Sequence, residues 1–136
     1  MIERLVIVTI LAVLGIVLYQ LYTRRQLAQI SAYRHIDPIL NGLNTNVPTI
    51  VYFTTPNCIP CKTQQQPAIN KVRETQEVQV VQIDATQNPE AADRWGVMSA
   101  PTTFILDSNF NPKSVNHGVA DEAKLIKQMN DAMQIA

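Results

Sequence analysis

Cys58 and Cys61 are the only cysteines in this chain of 136 residues, and two residues separate them. They follow the apolar, β-branched run Thr49–Thr54, at a point where a strand would turn into a helix. Two thiols at this spacing can form a disulfide with each other or exchange with a partner's sulfur. The pattern therefore predicts a thiol–disulfide redox pair.

The position of each cysteine predicts its role. Pro60 suits the first turn of a helix, because its missing N–H needs no partner there. Cys58 would then lie at the helix N-terminus, where free N–H groups and the helix dipole stabilise a thiolate. In such motifs the thiol pKa falls from about 8.5 to about 3.5–7.5. Cys61 lies one turn deeper on the same face, so we expect Cys58 to be the nucleophile and Cys61 the resolving thiol.

Two other interpretations of the cysteine pair remain open. A structural zinc site needs four ligands, and these cysteines supply only two. The two histidines, His35 and His117, lie far apart in the sequence without the usual ligand spacing. We therefore expect no metal and no cofactor, while zinc and an inert structural pair stay as alternatives.

The N-terminal segment 5–23 contains no charged residue and consists mostly of Leu, Ile and Val. A helix of this length covers about 30 Å, enough to cross the hydrocarbon core of a bilayer. Tyr19 and Tyr22 lie near one end, where interfacial aromatic residues occur. We predict an uncleaved single-pass anchor over residues 1–23, with a cleaved signal peptide as the alternative.

The charges on either side of this segment bear on its orientation in the cell membrane. Arg24, Arg25 and Arg34 follow it, whereas Arg4 and the α-amino group precede it. The positive-inside rule then favours a cytoplasmic domain, by a margin of about one charge. Formal net charge is zero, so nothing predicts binding to nucleic acid.

After the anchor, the sequence predicts a helical linker over 24–45 and a globular domain over 46–136. Leu27, Ile30, Tyr33 and Ile36 recur at helical spacing in the linker. In the domain, the sequence predicts strands at Thr49–Thr54, 78–83, Thr102–Leu106 and 113–116. It predicts helices at 59–76, from Asn88 onward and at 121–133. This order predicts a mixed central sheet with helices on both faces.

Three details of the helices are also predicted. Pro67 lies inside the first helix of the domain and should kink it. The run 64–66 of three glutamines favours a solvated helix face. The last helix should turn Leu125, Met129 and Met133 inward, together with Ile126.

Four segments in order resemble the thioredoxin family, from Thr49 to about Met133, or about two-thirds of the chain. They are Val51-Tyr52-Phe53 before Cys58-Ile59-Pro60-Cys61-Lys62; Ile83-Asp84 with Asn88-Pro89; Trp95-Gly96-Val97 before Ala100-Pro101-Thr102; and Gly118 before the last helix. The resemblance implies a thioredoxin-like α/β fold. It also implies that Pro101 is a cis-proline beside the cysteines and that Ala100 lies within reach of bound peptide.

The resemblance further implies an enzyme that reduces protein disulfides through Cys58 and Cys61. Its substrates would be disulfide-containing proteins, and its electron donor would be thioredoxin reductase or a membrane thiol donor. Pro60 before the second cysteine is typical of the family's reductants, and Ile59 adds bulk without charge. A non-catalytic binding or assembly factor at the membrane, and a disulfide oxidase or isomerase, are the alternative functions.

Two of the positions that depart from the family pattern bear on proton transfer. Tyr52 stands where many members carry a buried acid, and Val80 replaces the lysine that often accompanies it. Proton transfer from Cys61 would then rely on water or on the substrate thiolate. His117, just before Gly118, is predicted to be an exposed loop residue without a role.

Overall fold

The computed structural model describes residues 1–33 and 37–134, so Arg34, His35 and Ile36 lie outside the described residues. The described elements follow the predicted order of strands and helices. They are α1 (Ile2–Tyr33), β1 (Thr49–Thr54), α2 (Gln66–Thr75), β2 (Gln79–Asp84), α3 (Pro89–Arg94), β3 (Thr102–Leu106), β4 (Pro112–His117) and α4 (Glu122–Gln134).

The strands form one sheet in the order β2-β1-β3-β4. β1 pairs in parallel with β2 and antiparallel with β3, and β3 pairs antiparallel with β4. β1 is central, which explains why its sequence is apolar without clean alternation: both of its faces are covered. The predicted mixed sheet flanked by helices is confirmed.

Each face of the sheet carries its own core. On one face, Phe53, Trp95 and Phe104 form an aromatic cluster in which the Trp95 and Phe104 ring centroids lie 5.0 Å apart. Edge-to-face aromatic pairs of this kind add to the stabilisation that burial provides. On the other face, α2 and α4 bury Ile69 and Met129 together with the two cysteines. The redox pair therefore belongs to a packed core, which holds it in place.

Residues 24–45, expected to form a linker, contribute side chains to the domain interior. Gln26 and Ile30 of α1 are 4% and 3% exposed, and Asp37 and Leu40 beyond it are also buried. The predicted boundary of the globular domain at residue 46 stays a prediction. The packing shows that the end of α1 and the segment after it help to cover one face of the sheet.

The first part of α1 contributes no buried side chain, because every side chain from residue 1 to residue 22 is exposed. Within the described ranges, α1 is the single helix long and apolar enough to cross a membrane, with a mean hydropathy of 2.4 over its most apolar window. A signal sequence near the N-terminus can share this length and composition.

The helix predicted over 59–76 contains a π-helical turn over Cys61–Gln65, immediately before α2. The kink predicted at Pro67 stays a prediction. Pro67 has no N–H to donate one turn back, and the widened turn instead closes with the Gln66 N–H on the Cys61 carbonyl. In α4 the prediction for Met133 is wrong, because this side chain is 44% exposed. Ala132 is buried in its place, since it lies two turns after Leu125 on the helix.

Candidate redox site

The site begins where β1 ends. A turn over residues 55–57 leads into the helix, and Cys58 and Cys61 are joined by a disulfide with their Cα atoms 5.2 Å apart. Cys58 is 8% exposed and Cys61 is 1% exposed. An attacking sulfur from outside can therefore approach Cys58 more readily than Cys61.

Backbone hydrogen bonds hold Cys58 at the helix N-terminus. The Cys61 N–H donates to Sγ of Cys58 at 3.2 Å, and the Cys58 N–H donates to the Thr55 carbonyl at 3.2 Å. Helix N-termini carry unpaired N–H groups and a positive dipole end, and both favour a negative sulfur. The arrangement can stabilise the thiolate that thiol–disulfide exchange requires.

The loop before β3 lies beside the cysteines. The Ala100–Pro101 peptide bond is cis. Ala100 packs against the core cluster that contains both Cys58 and Cys61. The Gly118 N–H donates to the Pro101 carbonyl at 2.9 Å, so the loop after β4 supports the loop that carries Pro101.

Behind Cys61 the structure has a cleft of about 300 Å³ lined by Tyr52, Lys62 and Asp84, among others. Tyr52 is 1% exposed, and its hydroxyl donates to the Cys61 carbonyl at 3.3 Å. The Thr86 hydroxyl, which donates to the Asp84 carboxylate, holds the pKa of Asp84 below its usual value. The cleft offers room for water behind Cys61, where many thioredoxins carry an acid.

Gln65, one turn after Cys61, was not among the predicted site residues. The prediction of a solvated face for the three glutamines is wrong at this position, because Gln65 is fully buried. Its Nε2 donates to the Ala120 carbonyl at 3.1 Å, and its Oε1 accepts from the Ala120 N–H at 2.9 Å. Gln65 therefore links the helix that begins after Cys58, here termed the redox helix, to the loop after β4. A glutamine in the first turns after the cysteines gives no local signal of this contact.

His117 is not the exposed loop residue that was predicted. It ends β4 opposite Thr102, and the Tyr19 and Tyr22 rings of α1 lie 6.4 and 6.2 Å from its ring centroid. Its Nε2 is buried and has no hydrogen-bond partner among the described residues. Burial lowers the pKa of His117 below its ordinary value, because the positive charge loses solvation.

Within the ranges 1–33 and 37–134, no three His, Cys, Asp or Glu side chains lie together as a metal site requires. The two sulfurs are bonded to each other. His35 lies outside the described residues, and its predicted lack of a ligand role stays a prediction.

Comparisons with known proteins find similar sequences among the thioredoxins. Thioredoxin 1 from Nostoc sp. is 32% identical over 66 residues, which are 47% of this chain and 61% of the relative. The thioredoxin of Rickettsia bellii is 28% identical over 91 residues, covering 65% and 85% of the two chains. The matched part of this chain thus spans about three-fifths of the length of the Nostoc relative.

Solved structures agree on the fold. The Fasciola hepatica thioredoxin superimposes with a TM-score of 0.58 at 25% identity, covering 70% of this chain and 88% of that one. A mutant thioredoxin from Halobacterium salinarum gives a TM-score of 0.60 at 22% identity, covering 65% and 77%. The family model described as Thioredoxin matches residues 36–131. This chain belongs to the thioredoxin family.

Proposed function

We propose that this chain is a membrane-anchored thiol–disulfide oxidoreductase that reduces protein disulfides. The observation that carries the proposal is the Cys58–Cys61 pair at a helix N-terminus, with the Cys61 N–H on Sγ of Cys58. The cis peptide bond before Pro101 and the packing of Ala100 against the cysteine cluster support it. Together they provide an activated sulfur and a loop beside it.

The proposed reaction starts from the reduced protein. The Cys58 thiolate attacks one sulfur of a substrate disulfide, forming a mixed disulfide and releasing the other substrate sulfur as a thiolate. Cys61 then attacks Sγ of Cys58, which breaks the mixed disulfide and forms the Cys58–Cys61 bond. Two electrons and two protons pass to the substrate, which leaves as a dithiol. An upstream dithiol donor, either thioredoxin reductase or a membrane thiol donor, restores the pair.

The neighbouring residues take supporting roles in this proposal. The backbone around Ala100 and Pro101 would pair with an extended substrate segment. Water in the cleft behind Cys61 would accept the proton of the resolving thiol, because Tyr52 has no carboxylate that could accept it. Ile59 would add bulk between the two cysteines, and Pro60 would favour the start of the helix there.

The proposed location is the cell membrane, through the apolar part of α1. Its length and hydropathy support this location. Arg24 and Arg25, at the end of the apolar stretch, favour a cytoplasmic domain by the positive-inside rule.

Trapping of substrates tests the reaction directly. Cys61→Ser removes the resolving sulfur, so mixed disulfides with client proteins should accumulate on Cys58 and disappear on treatment with dithiothreitol. Cys58→Ser is the matched control and should trap nothing. Absence of adducts in both variants would contradict a redox role, and retained partner binding by Cys58→Ser would favour the binding-factor alternative.

The direction of electron flow needs a second measurement, the reduction potential of the pair in the full chain. A reductase should give a value near the thioredoxin value of about −270 mV, whereas an oxidant would lie near about −120 mV. The absence of a reversible two-electron couple would contradict both redox functions.

A further inference from the structure

The cysteines, the Pro101 loop and α1 meet at one edge of the sheet, here termed the redox edge. It is the edge where β1 ends, β3 begins and β4 ends, because Phe53 pairs with Thr102 and Thr102 pairs with His117. The loop to Cys58 leaves β1 at this edge, and the cis peptide bond before Pro101 enters β3 there.

α1 first touches the domain at the same edge. Tyr19 and Tyr22 contact the ring of His117, and the Tyr22 hydroxyl donates to Sδ of Met98 at 3.4 Å. One turn later Gln26 donates to the carbonyls of Trp95 and Gly96, at 2.7 and 2.9 Å. Side chains before Tyr19 are all exposed, so the apolar part of the helix leaves the domain at the redox edge.

The length of α1 then fixes the level of the redox edge relative to a bilayer. Residues 2–18 extend about 25 Å beyond the contact region, at 1.5 Å per residue. From Tyr19 to Arg25 the helix rises by about 9 Å, close to the headgroup layer of about 5–8 Å on each side of the bilayer. Tyrosines and arginines are the residues expected in that layer. With the uncharged residues 5–18 in the hydrocarbon core and Glu3 and Arg4 in the far headgroup layer, the redox edge lies at the membrane surface.

Most of the exposed large apolar side chains of the domain lie on the same side. Outside α1, the large apolar side chains described as exposed are Ile59, Met98, Val119 and Met133. The first three stand at the redox edge, Ile59 in the first helical turn after Cys58 and Met98 and Val119 in loops, at 72%, 84% and 40% exposure. Met98 continues the apolar surface of α1 through its contact with Tyr22. This rim is therefore continuous with the helix that the membrane would hold.

We propose that the redox edge faces the bilayer, and that its substrate is a disulfide in a membrane-bound protein, close to the point where that protein's chain leaves the lipid. This proposal rests on the proposed function. The exchange is the one described above: the Cys58–Cys61 dithiol gives two electrons and two protons to the substrate disulfide, and an upstream dithiol donor restores it. The apolar rim would contact the substrate's juxtamembrane segment. By anchoring the domain, α1 would keep the redox edge at the same height above the bilayer as the substrate disulfide.

Disulfide peptides attached to lipid by tethers of two lengths test the substrate class. The full chain is placed in phosphatidylcholine–phosphatidylglycerol vesicles, reduced, and offered one peptide on a five-residue tether, on a fifty-residue tether or free in solution. A five-residue tether reaches at most about 18 Å. For a site at the surface the short tether should react faster, by up to about 30-fold, because effective concentration falls roughly as the −3/2 power of tether length.

A redox edge turned away from the lipid gives the opposite result. The domain is about 30 Å across, so the short tether would not reach, and only the long-tethered and free peptides would be reduced. That result would overturn the inference and leave the proposed function intact. Failure to reduce even the free peptide would overturn the proposed function instead.

A depth measurement decides the orientation without relying on activity. Met98→Trp places a fluorophore at the redox edge, and Asn109→Trp places the matched one in the exposed turn between β3 and β4, at the opposite edge. Lipids with a nitroxide on the headgroup should quench Met98→Trp more strongly, after subtraction of the Trp95 signal shared with the wild type. Equal quenching, or stronger quenching of Asn109→Trp, would overturn the inference.

Discussion

The hydroxyl of Tyr52 donates a hydrogen bond to the backbone carbonyl of Cys61 from the position where many thioredoxins carry an acid. Burial raises the pKa of Tyr52 above its ordinary value of 10.0, so the hydroxyl stays protonated at neutral pH. The Tyr52 hydroxyl can therefore hold the helix but cannot accept a proton from Cys61.

Tyr52→Phe should accordingly leave the chemistry nearly unchanged and weaken the fold. We expect turnover of a model disulfide to stay within about twofold with the same pH profile, while loss of one buried hydrogen bond costs about 1 kcal/mol. Stopped-flow kinetics and urea unfolding of the chain in detergent, followed by Trp95 fluorescence, measure the two effects. A shifted pH profile in Tyr52→Phe would show that the hydroxyl takes part in proton transfer after all.

Gln65→Ala tests the link between the redox helix and the loop after β4. The substitution leaves the buried N–H and C=O of Ala120 without their partners, and we expect a loss of about 2–4 kcal/mol in the free energy of unfolding. Gln64→Ala changes the exposed neighbour and should stay within about 0.5 kcal/mol of the wild type. Equal losses for the two variants would argue against the buried contact.

Asp37→Asn tests how the segment after α1 is fixed to α3. Arg94 donates two hydrogen bonds to the Asp37 carboxylate, and the Trp95 indole N–H donates a third at 2.7 Å. Burial alone would raise the pKa of Asp37, but these hydrogen bonds outweigh it and hold the pKa below 3.8. At pH 7 the variant should lose about 2–3 kcal/mol, as expected for hydrogen bonds to a charged group.

The pH dependence of this contribution has a definite sign. Because the folded state lowers the pKa of Asp37, the stabilisation is complete above the unfolded value near 3.8 and is lost as pH falls below it. Urea unfolding between pH 7 and pH 3 should therefore show a shallower acid loss for Asp37→Asn than for the wild type. Asp93→Asn, at an exposed neighbouring carboxylate, is the control and should follow the wild-type curve.

His117 should produce a second pH effect, which comes from burial of the side chain and not from hydrogen bonds to it. Burial lowers the pKa of His117, so the unfolded chain binds the proton more readily than the folded chain. Stability should fall as pH drops below about 6.5, the ordinary histidine value. His117→Gln should remove this part of the pH dependence between pH 7.5 and 5.5. An unchanged slope in the variant would mean that another group is responsible.

The local parts of the fold could be predicted from short stretches of sequence. β1 was recognisable from its β-branched apolar run, the redox pair from its spacing and Pro60, and α3 from Asn88-Pro89, because each of these signals acts within a few residues. The predicted bounds of β3, Thr102–Leu106, agree with the structure for the same reason. The order of these elements predicted a mixed sheet, and the resemblance to thioredoxins implied the thioredoxin-like fold.

The tertiary structure decided where remote residues meet. Gln65 lies in a polar run, and only its contact with Ala120, 55 residues further on, makes it a buried residue. Tyr22 looked like an interfacial aromatic of an isolated helix, yet it contacts Met98 and His117 beside the redox pair. Local periodicity gives the type of an element and its apolar face, but not the partner that covers this face. The sequence alone thus determined the redox chemistry and the apolar helix, and the packing of α1 decided which edge of the domain they share.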